Sequence, residues 1–246
     1  MLKSYLSGLL LFLLASFVSN YASAEPQLSP EEIKKLALEA ILENPEIIQE
    51  AIERLEQIAV DRQRAEIATL ITERRGELER DENAPVLGNP DGDVTIVEFF
   101  DYNCPYCKRV KPQITALLEQ DKNVRLVYRE WPILGPGSVY AARAALASRK
   151  QGKYEEFHWA LMGLKSRAEE RSVLEAAKSV GLDIKKLEAD MDTPEVDQHI
   201  GLSMELAQVL NITGTPTFIV GDALAPGLIL TDQLLQLVQV ARGKNQ

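Results

Sequence analysis

The two cysteines of the chain, Cys104 and Cys107, have the spacing that most directly indicates chemistry. They stand where an apolar, strand-like run (Val94–Phe100) passes into a helix-like run (Pro105–Gln120). The first sulfur of such a pair lies near the free N–H groups and the positive dipole end of the helix, which favour thiolate over thiol. A Cys-x-x-Cys motif in this setting predicts a redox-active pair.

Two structural interpretations of the cysteines fit the sequence less well. Zinc usually binds four ligands, but there is no third cysteine, and His158 and His199 lie apart inside helical patterns. A permanent disulfide between Cys104 and Cys107 would enclose only two residues and would constrain the unfolded chain very little. Such a bond is better suited to being made and broken. We therefore expect no metal, and no cofactor other than the Cys104–Cys107 disulfide itself.

Residues 1–24 have the pattern of a secretory signal peptide. Lys3 lies near the start, an apolar stretch follows, and Ala22-Ser23-Ala24 matches a cleavage site. The apolar stretch is about half of the ~20 residues that a membrane-spanning helix needs, so a cleaved signal is favoured over a membrane anchor. We expect export to the periplasm and cleavage after Ala24.

The net charge of the chain is −10 over 246 residues. A protein this acidic repels the phosphates of nucleic acids and anionic lipids. We therefore expect no nucleic acid partner. The length leaves room for one or two domains with a substantial core.

Residues 25–83 are predicted to be helical. Ser29 is a predicted N-cap with Pro30 at the first helical position, and a second start follows at Asn44-Pro45. Apolar residues then recur at the spacing of a coiled-coil seam: Ile48, Ile52, Leu55, Ile58, Ala59, Ile67, Leu70, Ile71 and Leu78. The seam could cover the chain's own domain or join subunits. We favour a stalk that joins subunits, because the chain offers no partner helix of comparable length.

After this segment, residues 84–246 have the pattern of an α/β domain. Prolines and glycines between residues 83 and 93 indicate the boundary. Strands are predicted at Val94–Phe100 and 123–130. Because the helix that begins at the cysteines connects them, the two strands should be parallel.

Residues 138–210 have helical patterns throughout, with Ser172 and Asp183 as predicted N-caps. The remaining predicted elements are a strand, its antiparallel partner and a final helix, at 214–220, 227–230 and 231–241. The order is therefore β-α-β, a helical insertion, and then β-β-α.

This order resembles the thioredoxin superfamily, and the helical insertion is similar to that of the secreted DsbA-like thiol oxidoreductases of bacteria. The resemblance rests on Glu98 six residues before the first cysteine, the Cys104-x-x-Cys107 pair, and Thr215-Pro216 opening a late strand. The N-terminal segment resembles, more loosely, the multimerising extension of the suppressor-of-copper-sensitivity C-type branch (ScsC-like proteins). The resemblance implies an α/β thioredoxin fold with an inserted all-helical subdomain, preceded by a long N-terminal α-helical stalk.

The resemblance also implies roles for the site residues. In that family the first cysteine attacks, so Cys104 is the expected nucleophile and Cys107 the thiol that resolves the mixed disulfide with the substrate. Glu98 is the expected proton acceptor for Cys107, directly or through water, because an acid in an apolar strand holds its proton tightly. The alternative for Glu98 is an edge-strand position facing solvent.

By the same resemblance, the Thr215–Pro216 peptide bond should be cis and face the two sulfurs. Together with Pro105 and Tyr106 it would contact the substrate, whereas an ordinary trans proline is the alternative. The strongest oxidases of the family have histidine between the cysteines. Because Tyr106 cannot carry a positive charge, we expect a weaker oxidant.

These features predict a periplasmic thiol-disulfide oxidoreductase that acts on protein substrates with thiols or disulfides, as an isomerase or reductase. Isomerases commonly hold two or more active sites over one substrate, which a stalk-joined homodimer or homotrimer would provide. A DsbA-type oxidase is the nearest alternative. A copper-binding or chaperone protein without catalysis is another, since two thiolates can bind Cu(I). A catalyst would also need a membrane or periplasmic redox partner.

Overall fold

The computed structural model of the chain describes residues 28–244. The signal peptide predicted at residues 1–24 lies outside the described residues and stays a prediction. The chain divides into two compact units, Met1–Ile58 and Ala59–Gln246. This boundary precedes the expected one between residues 83 and 84, because residues from Ile67 onward pack into the core of the second unit. Within residues 28–244, no helix is both long and apolar enough to cross a membrane.

The described part of the first unit is helical. Helix α1 (Pro30–Glu43) begins as predicted: Ser29 caps it, and the Glu32 carboxylate accepts the Ser29 backbone N–H at 2.8 Å. Asn44 ends α1, and helix α2 (Glu46–Glu73) follows, as the predicted second start requires.

The apolar stripe of the first unit is exposed. Ile48, Ile52 and Leu55 are 51%, 45% and 66% exposed. Other large apolar side chains of this unit are also exposed: Leu28, Ile33, Leu36, Leu38, Leu42, Ile47 and Ile58. Since an amphipathic helix normally buries such a stripe, this surface has the character of a contact surface.

Within its described residues, the second unit is built on a five-stranded sheet of order β1-β3-β2-β4-β5. The strands are β1 (Val86–Gly88), β2 (Val94–Phe100), β3 (Val124–Glu130), β4 (Thr217–Val220) and β5 (Ala223–Pro226). Strands β2 and β3 are parallel, as predicted, and the other neighbouring pairs are antiparallel. Strand β2 is central.

Helices surround this sheet and confirm the expected architecture, a thioredoxin fold with a helical insertion. Helix α3 precedes β1, α4 joins β2 to β3, and α10 follows β5. The insertion between β3 and β4 holds α5 to α9. Their bounds are α3 (Arg75–Arg80), α4 (Pro105–Gln120), α5 (Pro136–Ser148), a 3-10 turn (Arg149–Gln151), α6 (Tyr154–Met162), α7 (Glu170–Ser179), α8 (Ile184–Met191), α9 (Pro194–Val209) and α10 (Thr231–Lys244).

The side chains of β2 alternate between two hydrophobic cores. Ile96 and Phe100 pack with α4, α6 and α10 in one core. Val97 lies in the other core, together with Ile71 at the end of α2 and Leu78 of α3. Ile71 and Leu78 are 0% and 1% exposed. The end of α2 and the whole of α3 are therefore part of the second unit's core.

The second half of the predicted intersubunit seam is thus wrong. Ile71 and Leu78 cover the sheet of their own chain, and the helix is interrupted at Arg74. Packing on a sheet and packing on a partner helix both require apolar residues every three or four positions, so the spacing alone does not distinguish them.

Two features of the sheet differ from the prediction. Strand β1 is not predicted from the sequence, because three residues are too few to show alternation. The antiparallel partner expected at 227–230 is wrong: Gly221 and Asp222 form a two-residue turn, so Val220 pairs directly with Ala223.

One predicted helix cap is also displaced. Glu169, not Ser172, is the N-cap of α7, and the Ser172 hydroxyl accepts the Glu169 N–H at 2.9 Å in a capping box. Asp183 caps α8 as predicted and accepts the Lys186 N–H at 3.1 Å.

A buried ion pair fastens the segment before β1 to the sheet. Nη1 of Arg129, a fully buried residue of β3, lies 2.5 Å from Oδ2 of Asp81. Nδ1 of His199, on α9, lies 3.4 Å from the same oxygen. Although burial alone would raise it, hydrogen bonds from His199, the Asn83 N–H and Arg129 hold the pKa of Asp81 well below its usual range. This segment is thereby fixed to both β3 and α9.

We predict that Leu78→Ala destabilises the second unit by about 2–5 kcal/mol, because it leaves a cavity between α3 and β2. Urea unfolding followed by the fluorescence of Trp131 and Trp159 measures this loss. The exposed Val240 of α10 provides a control, and Val240→Ala should change stability by less than about 0.5 kcal/mol. Equal effects of the two substitutions would contradict the packing of α3.

Candidate active site

Cys104 occupies the N-cap position of α4. Its backbone is extended, and its N–H donates to the Asp101 carbonyl oxygen at 3.0 Å, closing the turn from β2 into the helix. Pro105 follows, where a missing N–H removes no helical hydrogen bond. The sulfur therefore lies where the N–H groups of α4 are free and its dipole is positive.

The two sulfurs have opposite proton affinities, and both cysteines are free thiols. A hydrogen bond from the Cys107 thiol, with the N–H groups of Cys107 and Tyr106, lowers the pKa of Cys104 to about 6, against the opposing effect of burial. Burial first, and then the hydrogen bond with Cys104, raises the pKa of Cys107 far above its ordinary value. Near neutral pH, Cys104 is thus a thiolate and Cys107 a thiol.

Glu98 lies in the middle of β2, between Tyr128 of β3 and Phe218 of β4. It is 1% exposed, so the edge-strand alternative is wrong. Its side chain lines a narrow interior gap together with Cys107. Burial, followed by the negative charge of Cys104, raises the pKa of Glu98 to about 8. A carboxyl group of this proton affinity can exchange protons near neutral pH.

The Thr215–Pro216 peptide bond is cis, as the resemblance implies, and lies just before β4. When Cys104 is protonated, its thiol donates to the Thr215 carbonyl oxygen at 3.1 Å. The Pro216 carbonyl oxygen accepts the N–H of Gly227 at 2.8 Å. This loop covers Cys104, which is therefore only 4% exposed, less than the open nucleophile that the sequence suggests.

The exposed rim beside the nucleophile consists of Pro105 and Tyr106. Cζ of Arg109 lies 4.3 Å from the centroid of the Tyr106 ring, a cation–π contact. Lys108 is directed elsewhere, and its Nζ donates to two backbone carbonyl oxygens after α6, at 2.7 and 3.3 Å. Of these two basic residues, only Arg109 brings its charge to the rim.

Asp101 is a site residue that the sequence analysis misses. Its Oδ2 accepts the N–H groups of Ile133 and Leu134 at 2.8 and 2.9 Å. Its Oδ1 accepts the Asn103 N–H and the Ser138 hydroxyl, each at 2.7 Å. One buried carboxylate thus fixes both the turn before the nucleophile and the loop after β3. An Asp at a strand end, two residues before Asn103, is the signal of an Asx turn that could have indicated it.

A second missed feature is a set of buried polar side chains behind the cysteines. The hydroxyls of Tyr102 and Tyr154 both donate to Oε1 of Glu130, at 3.0 and 2.8 Å. Nδ1 of His158 lies 3.0 Å from the Tyr102 hydroxyl. In the sequence these residues lie far apart, and only the fold brings them together.

The arrangement can perform thiol-disulfide exchange. A thiolate at a helix N-terminus can attack a disulfide, and a neighbouring thiol can then displace the mixed disulfide. A buried acid behind the second thiol can handle its proton. In residues 28–244, no three His, Cys, Asp or Glu side chains converge to form a site that could hold a metal ion.

Comparison with known proteins agrees with this geometry. A family model described as "DSBA-like thioredoxin domain" matches residues 95–239, which is more than half of the chain. The chain belongs to this family. The second unit is accordingly a DsbA-like thiol-disulfide oxidoreductase domain, with the fold and the cysteine pair in the places that the sequence predicts.

Two solved structures illustrate the likeness. A thioredoxin-like oxidoreductase from Silicibacter pomeroyi DSS-3 is 60% identical, with a TM-score of 0.68, and the match covers 69% of this chain and 98% of that one. ScsC from Proteus mirabilis in a compact conformation is 30% identical, with a TM-score of 0.64, and the match covers 87% of this chain and 98% of that one.

Among curated proteins, the Na(+)/H(+) antiporter NhaA 3 of Salinispora tropica is 31% identical over 137 residues, which is 55% of this chain. The match spans only 21% of that antiporter. This chain therefore corresponds to about a fifth of the length of that relative.

We predict that the alkylation of reduced Cys104 by iodoacetamide follows a pKa of about 6. Below this pH the thiol predominates, so the rate should fall about tenfold per pH unit, and above it the rate should level off. Mass spectrometry at timed intervals measures the reaction and should find Cys107 unmodified. The urea-unfolded chain is the control and should titrate near pH 8.5. An identical profile for the folded chain would contradict the lowered pKa.

We also predict that Glu98→Gln slows the displacement of a mixed disulfide on Cys104 by about 10²-fold, because the carboxyl group no longer exchanges a proton with Cys107. Stopped-flow measurement of leaving-thiol release follows this step, and Cys104 alkylation should persist. The exposed Glu119 of α4 supplies the matched control Glu119→Gln, which should retain the full rate. A full rate in Glu98→Gln would exclude a proton-transfer role.

Proposed function

We propose that the whole protein is a periplasmic thiol-disulfide oxidoreductase that rearranges or reduces disulfides in protein substrates, as a homo-oligomer. The observation that carries this proposal is the exposed apolar stripe of the first unit, which precedes a complete dithiol site. A stripe of this kind supports joining of subunits, and joined subunits would present several cysteine pairs to one substrate.

The proposed chemistry begins with the Cys104 thiolate, which attacks one sulfur of a substrate disulfide. That S–S bond breaks, and the other substrate sulfur leaves as a thiolate. In isomerisation, a different substrate thiolate displaces Cys104, and no electrons are transferred overall. In reduction, Cys107 displaces the substrate, which leaves with two electrons. The new Cys104–Cys107 disulfide must then be reduced by a membrane or periplasmic partner.

The first unit supports oligomerisation through its exposed side chains. Ile48, Ile52 and Leu55 recur at four and three residues and are each at least 45% exposed. The likeness to Proteus mirabilis ScsC covers 87% of this chain, whereas the second unit holds only 188 of the 246 residues. The likeness therefore extends into the first unit. A homodimer or a homotrimer would bury the stripe.

The electrostatics of the nucleophile support an isomerase or reductase over an oxidase. The pKa of about 6 for Cys104 is nearer to the value of about 7 in reducing thioredoxin than to about 3.5 in strongly oxidising DsbA. A smaller depression of this pKa stabilises the reduced form less and makes the pair a weaker oxidant. Tyr106 contributes no charge between the cysteines, in agreement with this direction.

We predict that Ile48→Asp, Ile52→Asp and Leu55→Asp, combined in the full chain, yield a monomer. Unpaired carboxylates in an apolar interface are costly to desolvate, so the subunits should separate. The refolding of scrambled ribonuclease should slow by about tenfold or more, since each active site then acts alone. Sedimentation velocity and recovered ribonuclease activity measure the two effects, and Cys104 alkylation should be unchanged.

The control places the same added charge on the polar face of α2. Gln57→Asp with Arg64→Asp also lowers the net charge by three, and this variant should remain oligomeric and active. A monomeric triple variant with undiminished isomerisation would contradict the proposed role of the stripe.

Thiol trapping in cells tests whether the protein acts as an isomerase or reductase, or as an oxidase. Mostly reduced Cys104 and Cys107 support the proposal, and a mostly oxidised pair favours a DsbA-type oxidase.

A further inference from the structure

Basic side chains border the start of α4, where the nucleophile lies, although the chain as a whole is acidic. The net charge is −10, from 37 Asp and Glu against 27 Lys and Arg. Four cations nevertheless lie on two segments beside Cys104, namely the first two turns of α4 and the connection between α6 and α7. These four residues, which we call the basic patch, are Lys108, Arg109, Lys165 and Arg167.

Hydrogen bonds place the basic patch next to the nucleophile. The Lys108 N–H donates to the Cys104 carbonyl oxygen at 3.2 Å, so these two residues are one helical turn apart. Ala168, which follows Arg167, exchanges two hydrogen bonds with the side chain of Asn103, at 2.7 and 3.1 Å. Asn103 immediately precedes Cys104. Both segments of the patch are therefore fixed to the turn that carries the reacting sulfur.

The two segments also contact each other through Lys108. Its Nζ donates to the carbonyl oxygens of Leu164 and Ser166 at 2.7 and 3.3 Å, on either side of Lys165. Burial, and then the nearby charge of Arg167, lowers the pKa of Lys108. A cluster of like charges is costly unless an anion neutralises it.

The carboxylates of the chain leave most of this charge without a partner. Among residues 28–244, only Glu169 forms an ion pair with the patch, and its Oε1 lies 3.5 Å from Nε of Arg167. The next acid along the chain, Glu170, lies near Tyr140 of α5, whose pKa it raises after the larger effect of burial. The other three cations of the patch are therefore available to a partner with negative charge.

Exposed apolar side chains adjoin the basic patch. Nη2 of Arg167 donates to the Leu134 carbonyl oxygen at 2.9 Å, and Ile133 and Leu134 are both exposed. The Asp101 carboxylate accepts the N–H groups of these two residues and fixes them to the turn before the nucleophile. Tyr106 adds an exposed aromatic ring at the start of α4. Cations and apolar side chains thus form a surface that is held in place before a substrate binds, which reduces the ordering cost of binding.

We propose that the basic patch selects protein substrates in which acidic residues flank the reacting cysteine. An extended chain advances about 3.3–3.6 Å per residue, so carboxylates within a few residues of that cysteine would reach cations one helical turn from Cys104. Apolar residues of the same segment would contact Ile133, Leu134 and Tyr106. Charge complementarity of this kind raises the rate of association more than the affinity. The inference rests on the proposed action on protein substrates, and it holds for isomerase, reductase and oxidase alike.

The test is the rate at which the reduced full chain reacts with three short peptides, each with one cysteine that carries a 2-thiopyridine disulfide. The peptides have blocked ends and differ only in the two residues on each side of the cysteine, which are aspartate, serine or lysine. Cys104 attacks the peptide sulfur, the S–S bond breaks and 2-thiopyridone leaves, which stopped-flow absorbance follows. Each rate is divided by the rate of the same peptide with 2-mercaptoethanol, which removes differences in intrinsic reactivity.

The salt dependence identifies the effect as electrostatic. At about 10 mM salt, where the Debye length is about 30 Å, the aspartate peptide should react about tenfold faster than the serine peptide, and the lysine peptide more slowly than either. At about 1 M salt the Debye length is about 3 Å, and the preference for aspartate should fall below about twofold. Equal rates for the aspartate and serine peptides at low salt, or a faster reaction of the lysine peptide, would overturn the proposal.

The patch variant combines Arg109→Gln, Lys165→Gln and Arg167→Gln. These side chains are exposed, and of the three only Arg167 donates a hydrogen bond within the protein. The preference for the aspartate peptide at low salt should fall to about twofold or less. Because the preference is a ratio of two rates in one variant, a change in the reactivity of Cys104 itself cancels. Arg109→Gln with Lys165→Gln breaks no hydrogen bond and should also lower the preference, which covers a triple variant that does not fold.

The control variant removes the same charge elsewhere in the second unit, through Lys122→Gln, Lys178→Gln and Lys185→Gln. These lysines are exposed, just after α4, in the last turn of α7 and in the first turn of α8. The control should keep the tenfold preference. Equal losses of preference in the patch and control variants would overturn the proposal, because net charge alone would then explain them. The comparison is separate from the proposed isomerisation and oligomerisation, since it measures one exchange step at one active site.

Discussion

Two sulfur atoms within one helical turn must hold their protons with very different strengths, and the rest of the second unit is arranged around this requirement. Cys104 obtains its low proton affinity from its position, because the N-terminus of α4 offers N–H donors and a positive dipole. Cys107 lies three residues further along, on the face of α4 that packs against β2, and burial keeps its proton in place. One helical turn can provide both environments because its free N–H groups surround the first sulfur while its inner face buries the second.

The insertion contributes directly to this arrangement. Asn103 exchanges hydrogen bonds with the backbone of Ala168, accepting its N–H at 2.7 Å and donating to its carbonyl oxygen at 3.1 Å. Lys108 is held by carbonyl oxygens after α6, and α6 itself closes the gap behind Cys107. The helices between β3 and β4 therefore fix the start of α4 and exclude water from the proton chemistry. The site therefore depends on the inserted helices for its structure.

Local patterns were sufficient to predict much of the site, and long-range packing explains what they missed. Cys104 and Cys107 were found because they form a short motif, and Glu98 was found because the family resemblance indicates its position in one buried strand. The network of Tyr102, Glu130 and His158 was not, because its members lie on separate elements and each alone is an ordinary polar residue. Ile71 shows the same limit in the fold: its spacing resembles that of Ile52, yet one is buried in the sheet's core and the other is exposed.

The difference in burial between Ile52 and Ile71 separates the surface proposed for oligomerisation from the residues that support the redox site. The buried half of the stripe supports β2 from the face opposite to α4, and β2 carries Glu98, so changes there would disturb the proton chemistry. The exposed half lies in the first unit, and its side chains belong to neither of the two described cores. The subunit contacts proposed for it could therefore vary separately from the redox chemistry, although one continuous helix, α2, carries both halves. A homologue could lose or exchange its exposed half and keep a working cysteine pair, provided that Ile71 and Leu78 remain to complete the core.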